Sequence, residues 1–190
     1  MKKISISCIL VLMSIVNAAL PSATNDKELF EVLDLMALNT LTNTIAKDDI
    51  ISKLEKLHNA GYSKASWYYM NAITRSDYSK ANKIGKSIFP DLLKLAQNND
   101  TLAAMMVISF YRFGIGDVKK DHAQAVFWRK KYSELQKKEM QKDMPDPIII
   151  LNNVASNISS GKIPNQKELE YLKSCGSKYA VYIYSKIKTR

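Results

Sequence analysis

The sequence predicts an all-α protein built from repeated helix pairs, and three observations carry that expectation. Six Gly and five Pro in 190 residues are few turn formers for a sandwich or barrel of many short strands. Apolar residues recur at helical spacing from Asp26 onward, and no stretch alternates strongly enough to require a strand. Two short patterns also recur at helix starts, which points to internal repetition. With 46% hydrophobic and 24% charged residues, the composition is that of a folded domain and not of a disordered chain.

The first residues read as targeting. Met1, Lys2 and Lys3 precede an apolar run from Ile4 to Val16, and Val16-Asn17-Ala18 supplies a cleavage pattern, so residues 1–18 are expected to be a signal peptide. The run is shorter than the roughly 20 residues that span a bilayer, so no stable membrane insertion is expected. Cys8 would leave with the signal, and the remaining Cys175 is expected to be a buried free thiol. A two-Lys signal on a Lys- and Asn-rich chain looks bacterial, with the periplasm as the first expected destination and the cell exterior as the second.

Residues 19–49 form an N-terminal capping region. Its helix carries Leu29, Val32, Leu33, Met36 and Leu41 on one face, with Asn25 or Asp26 as the cap. Asp48 and Asp49 open the next helix, striped by Ile50, Ile51, Leu54 and Leu57 and ended by Gly61. Lys64 to Arg75 places Ala65, Tyr69, Ala72 and Ile73 on one side. Asp77 caps a helix bearing Ala81 and Ile84, and Pro90 is expected to start a separate short one with Leu92, Leu93 and Leu95. Thr101 to Phe113 is strongly apolar and closed by Gly114 and Gly116. Asp121 caps a helix through Ala125, Trp128 and Tyr132 that extends toward Lys142. The two prolines of Met144-Pro145-Asp146-Pro147 break the chain, and three helices follow over 148–160, 165–175 and 177–188.

The repeat is visible in Gly61-Tyr62-Ser63-Lys64-Ala65, which recurs as Asn99-Asp100-Thr101-Leu102-Ala103 and Gly176-Ser177-Lys178-Tyr179-Ala180. A second element, Asp77-Tyr78-Ser79-Lys80-Ala81, recurs as Asp121-His122-Ala123-Gln124-Ala125 and weakly as Asn165-Gln166-Lys167-Glu168-Leu169. In each copy Asp or Asn caps a helix, and in the first two a small residue one turn in lets its partner helix approach. The stretch AAMMVISFYRFGIGDVKKDHAQAVFWRKKY, from Ala103 to Tyr132, resembles a Sel1-like repeat, a relative of the tetratricopeptide repeat, through Ala103, Tyr111, Gly114, Gly116, Val118, Asp121, Ala125 and Trp128. It departs from that pattern by one extra residue between Gly116 and Asp121 and by Val107-Ile108 where Leu-Gly is usual. The resemblance covers residues 50–190 and implies an α/α solenoid of about three degenerate helix-pair repeats with capping helices. Such a solenoid has a concave surface lined by the first helix of each pair, and surfaces of that kind bind proteins.

On that surface Trp67, Tyr68 and Asn71 from one repeat, with Met105, Ser109 and Arg112 from the next, are the expected partner-binding residues, since aromatic and Arg anchors dominate interface energetics. No catalytic residue, metal site or cofactor is expected. Gly61-Tyr62-Ser63-Lys64-Ala65 has the outline of a nucleophile elbow, but a helix precedes its glycine instead of a strand. Ser159 and Lys162 have the spacing of a serine–lysine pair, but Gly161 between them ends the helix. His58 and His122 read as surface or cap positions with no second ligand in reach. The expectation is therefore an exported non-enzymatic adaptor or inhibitor, in its sharper form a periplasmic immunity protein that binds and neutralises a secreted antibacterial toxin. The competing expectation is a cell-envelope enzyme or small-ligand-binding protein acting on cell wall or β-lactams.

Charge narrows the partner. The formal net charge is +10, and +8 once Lys2 and Lys3 leave. Residues 19–111 are neutral, whereas 112–142 hold nine basic against four acidic residues and 162–190 seven against two. Only four of the 28 basic residues are Arg, which suits solvated point charges better than nucleic-acid recognition. An acidic protein partner or anionic envelope surface, met by one end of the molecule, fits this asymmetry.

Overall fold

Helix starts in this chain are set by short polar side chains that accept the first free backbone N–H groups. The computed structural model describes residues 23–188, and every regular element among them is helical: α1 Ala23–Thr42, α2 Lys47–Asn59, α3 Ser63–Ile73, α4 Tyr78–Gln97, α5 Thr101–Phe113, a 3-10 turn Ile115–Asp117, α6 His122–Met140, α7 Pro147–Ser159, α8 Gln166–Ser174 and α9 Lys178–Lys188. The expected signal segment and Cys8 lie outside the described residues. Asp77 accepts the N–H of Lys80, Asp100 that of Ala103 and Asp121 that of Gln124, each at 2.8–2.9 Å. Asp146 and Asn165 cap α7 and α8 in the same way through Ile148 and Lys167.

Two helix boundaries differ from the sequence expectation. Pro90 does not open a new helix but lies inside α4. Proline deletes one backbone bond and costs about 3 kcal/mol in a helix interior, yet Ala81, Ile84, Ile88, Leu92 and Ala96 form one continuous buried stripe across it. Burying those side chains together, at about 1.5–3 kcal/mol for each large one, outweighs the lost bond. Likewise α1 begins before Asp26, which sits in its first turn and is freed to serve another element. Within α3, Met70 and not Ala72 joins Ala65, Tyr69 and Ile73 in the core, and Leu41 at the end of α1 is exposed.

Each helix packs on the next, and α3 also touches α5, so that one core runs through the stack. The tightest junction joins α4 to the loop after α5. Gly114 ends α5 in the left-handed region, at φ +71°, and Gly116 follows at φ +60° with its N–H donated to Asn82 Oδ1 at 3.0 Å. A Cβ on Gly116 would stand 2.2 Å from the backbone nitrogen of Lys86, and one on Gly85 would stand 2.8 Å from Ile115. Backbone therefore lies on backbone here. Asp121 N–H closes the loop onto the Tyr111 carbonyl at 2.9 Å.

The last helix returns to the first. Asp34 of α1 is 3% exposed, and its carboxylate accepts the Ser177 hydroxyl and the Lys178 N–H, the latter at 2.7 Å, with the Tyr179 N–H at 3.3 Å. Ser177 in turn accepts the Ala180 N–H. A side chain from α1 thus serves as the distant cap of α9, and α1 meets α2, α7 and α9.

These junctions are testable by equilibrium urea unfolding. Gly116→Ala meets both the left-handed penalty of about 1–2 kcal/mol and an overpacking cost of about 1–3 kcal/mol or more. Gly61→Ala has a similar φ with nothing within 4 Å of the new Cβ, so it should cost only the first of these. Equal losses in the two variants would mean that the close approach is not a stabilising contact. Asp34→Ala should cost about 2–4 kcal/mol, the sum of a lost cap and buried donors left unpaired; a change below about 0.5 kcal/mol would remove Asp34 as the link between the chain ends.

Candidate functional site

The expected partner-binding residues divide into two groups. Trp67 and Tyr68 are half-buried, with ring centroids 4.9 Å apart and edge to face. The Tyr68 hydroxyl is reached by Asn152 Nδ2 of α7 at 3.4 Å, and burial pushes its phenol up to about 12. The indole Nε1 of Trp67 is buried without a hydrogen-bond partner among the described residues, and Met105 and Ser109 are half-buried. Asn71 and Arg112, by contrast, are exposed. Asn71 Nδ2 donates to the Trp67 carbonyl at 2.7 Å, and the Arg112 guanidinium lies 5.1 Å from the Phe113 ring centroid.

Asn71 stands on the ridge between two cavities. A groove of about 660 Å³ opens toward α1 and α2, among Met36, Asn39, Thr40, Ile51 and Arg75. A cleft of about 260 Å³ opens on the other side, between α3, the start of α4 and the loop after α5, and Thr74, Asn82 and Ile115 line it. Two aromatic rings stand at that cleft with most of their surface in water: Tyr78 is 71% exposed and Phe113 57%. Both are positioned by caps. Tyr78 follows the N-cap Asp77, where the first turn points away from the core, and Phe113 precedes the left-handed Gly114, which swings the chain outward. Helical spacing alone missed Tyr78, and its signal was its place next to a cap. The arrangement offers flat apolar surface flanked by amide and hydroxyl groups, a chemistry suited to contact with a protein surface.

Residues with catalytic potential are engaged elsewhere. Ser63 Oγ donates to Asp91 at 3.2 Å, and Ser159 Oγ to the Ala155 carbonyl at 2.7 Å. His58 is not a free surface residue, because its Nδ1 lies 2.9 Å from Ser66 Oγ and its ring stacks on Tyr69. Ser66 is buried and also bonded to the Tyr62 carbonyl, so this serine and histidine join α2 to α3 with no room for a substrate between them. Desolvation, reinforced by Lys80, lowers the His58 pKa. Among the described residues no group of three or more His, Cys, Asp or Glu could hold a metal ion, and no helix is long and apolar enough to cross a membrane. Cys175 is exposed and not buried, because it caps the C-terminus of α8 on the solvent side.

A cluster missed in the sequence surrounds Lys64, which is 6% exposed. Its ammonium lies 2.9 Å from Asp100 and 3.5 Å from Asp26, and the Tyr62 hydroxyl donates to Asp26. Burial opposes the charged ammonium, but Asp100 and then Asp26 outweigh it and hold the Lys64 pKa above the ordinary lysine value. Asp146 faces the same group, and Glu139 accepts the Asp146 N–H at 2.9 Å. Desolvation raises the Asp146 carboxyl above its usual value, against the Ile148 N–H and Lys64.

No protein-family model matches the chain, and comparison with the curated proteins and with solved structures returns no match.

The raised carboxyl sets a pH dependence. A group whose folded pKa lies above its unfolded value adds stability in acid and loses that contribution as pH rises through the folded value. Asp146→Asn keeps an oxygen for the Ile148 N–H and removes the buried charge. Thermal unfolding should therefore find this variant at least as stable as the parent at neutral pH, with the difference shrinking in mild acid. A variant that is less stable at neutral pH and recovers in acid would reverse the assignment.

Proposed function

We propose that this chain is an exported, non-enzymatic protein-interaction module of the Sel1-like repeat type, an α/α solenoid that acts as an adaptor or inhibitor. In its sharper form it is a periplasmic immunity protein that binds a secreted antibacterial toxin. The observation that carries this reading is the pair of solvent-facing rings, Tyr78 and Phe113, at one cleft with Asn71, and with Arg112 over the Phe113 ring. Isolated apolar side chains are ordinary on a surface, but two aromatics on one concavity with Arg beside them have the composition of an interface hot spot. The repeat spacing around Gly114 and Gly116, the signal-like first residues and the engagement of Ser63, Ser159 and His58 in local hydrogen bonds support it further.

Trp67 is less suitable than Phe113 for testing the reading, because it packs against the core and its removal would also lower stability. Directed to the periplasm, the parent chain should protect cells from a secreted toxin encoded beside its own gene and should co-purify with it. The double variant Tyr78→Ala, Phe113→Ala should keep the parent unfolding midpoint and lose about tenfold or more in affinity. Unchanged affinity would exclude the cleft, and a failure to bind or protect would exclude toxin immunity.

A further inference from the structure

The helix α6 has two unlike sides. Ala125 and Trp128 are buried and Tyr132 half-buried, which seats the helix on α5. Among the described residues no helix lies over its outer face, because the chain breaks at Pro145 and Pro147 and α7 packs mainly on α1 and α8. On that face Val126 and Phe127 are adjacent and 48% and 56% exposed. Beyond them toward the C-terminus come Arg129, Lys130, Lys137 and Lys138, all exposed.

Most of the acidic residues of α6 and of the turn before it are engaged away from these cations. Asp117 is paired with Lys86 at 2.9 Å, Asp121 caps α6 itself, and Glu139 is buried against Lys142 and the Asp146 N–H. Glu134 is the one carboxylate left on the exposed surface of α6. Val126, Lys130 and Lys137 follow the spacing of one helix face, with Phe127 at its edge and Glu134 between the two lysines.

We infer that the outer face of α6 is a docking surface for an acidic protein segment, whose apolar side chain covers Val126 and Phe127 while its carboxylates run along Lys130 and Lys137. Charge complementarity selects this occupant. A lipid surface suits the face less well, because an interfacial helix needs an apolar face along its length, and here Ser133 and Glu134 follow after two apolar residues. The surface is separate from the cleft at Tyr78 and Phe113 and does not rest on its role.

The test uses the purified full chain and a fluorescent synthetic peptide of Glu and Asp with a central Leu-Leu pair. Binding is expected at low ionic strength, weakening as salt rises. The double reversal Lys130→Glu, Lys137→Glu should reduce affinity by about tenfold or more. Phe127→Ser, with its ring already mostly in solvent, should leave the unfolding midpoint unchanged and weaken the peptide several-fold, whereas poly-L-glutamate without the Leu pair should be insensitive to it. The control reversal Lys167→Glu, Lys173→Glu on α8 removes the same charge elsewhere and should leave affinity within about twofold. Equal losses from both reversals would mean that net charge alone attracts the peptide, and no effect of Phe127→Ser would remove the apolar contact; either overturns the inference. So would absence of peptide binding, or stronger binding to phosphatidylglycerol vesicles with the same dependence on Lys130 and Lys137.

Discussion

A buried carboxylate must find donors or give up its charge, and Asp34 finds them at the far end of the chain. The hydroxyl of Ser177 and the first backbone N–H groups of α9 close on it across 143 residues of sequence. The same groups are the positive end of the α9 dipole, so ion and helix end neutralise each other away from water. With α9 held on α1, α7 also lies against α1. The last helices are therefore committed to α1, and among the described residues α6 keeps an uncovered side.

A second buried charge works alongside it. Lys64 begins α3 and lies between the cap of α5 and the first turn of α1, so the carboxylate that organises one helix start also holds an ammonium from another. Asp146 and Glu139 bring the α6–α7 connection to the same place. One lysine thus has negative partners from several elements, and replacing any single carboxylate alters the balance for all of them. The junction of α4 with the loop after α5 rests on close approach instead, with the exposed Lys86–Asp117 pair beside it. Gly85 and Gly116 let backbone meet backbone, and this contact positions the Phe113 loop over α4 and forms one wall of the cleft.

The two surfaces that result differ in chemistry. The cleft is lined by amides, a hydroxyl and aromatic rings, where shape and desolvation govern contact. The α6 face is cationic, and there long-range attraction governs approach. The cleft is placed by the ends of helices, where caps turn Tyr78 and Phe113 outward, and the α6 face by the way α7 packs on α1 and α8. The excess charge of the C-terminal half is thus not spread evenly: Asp121, Glu139 and Asp146 are drawn into caps and a buried pair, while Arg129, Lys130, Lys137 and Lys138 of α6 remain in solvent.

Local signals sufficed for much of this. Asp77, Asp121 and Asn165 mark helix starts because capping depends on residues two or three positions away, and Gly114 marks an end because its φ is a property of one residue. The stripe of Ile50, Leu54 and Leu57 on α2 was legible for the same reason. Elsewhere local rules were overruled. Pro90 continues a helix because its neighbours share one buried face, His58 turns to Ser66 because α2 and α3 pack together, and Cys175 is exposed because the outer side of α8 is. Of the candidate interface, Asn71 and Arg112 were accessible from helical spacing, whereas the place of Tyr78 and Phe113 at one cleft depends on the loop that Gly116 docks onto α4. Sequence by itself determined the helices, their caps and the uneven charge, since these follow from spacings of a few residues. Only tertiary structure decided which side chains meet over long separations, Asp34 with Ser177 and Lys64 with Asp26 and Asp100, because burial is a property of the assembled core and is not encoded at any one position.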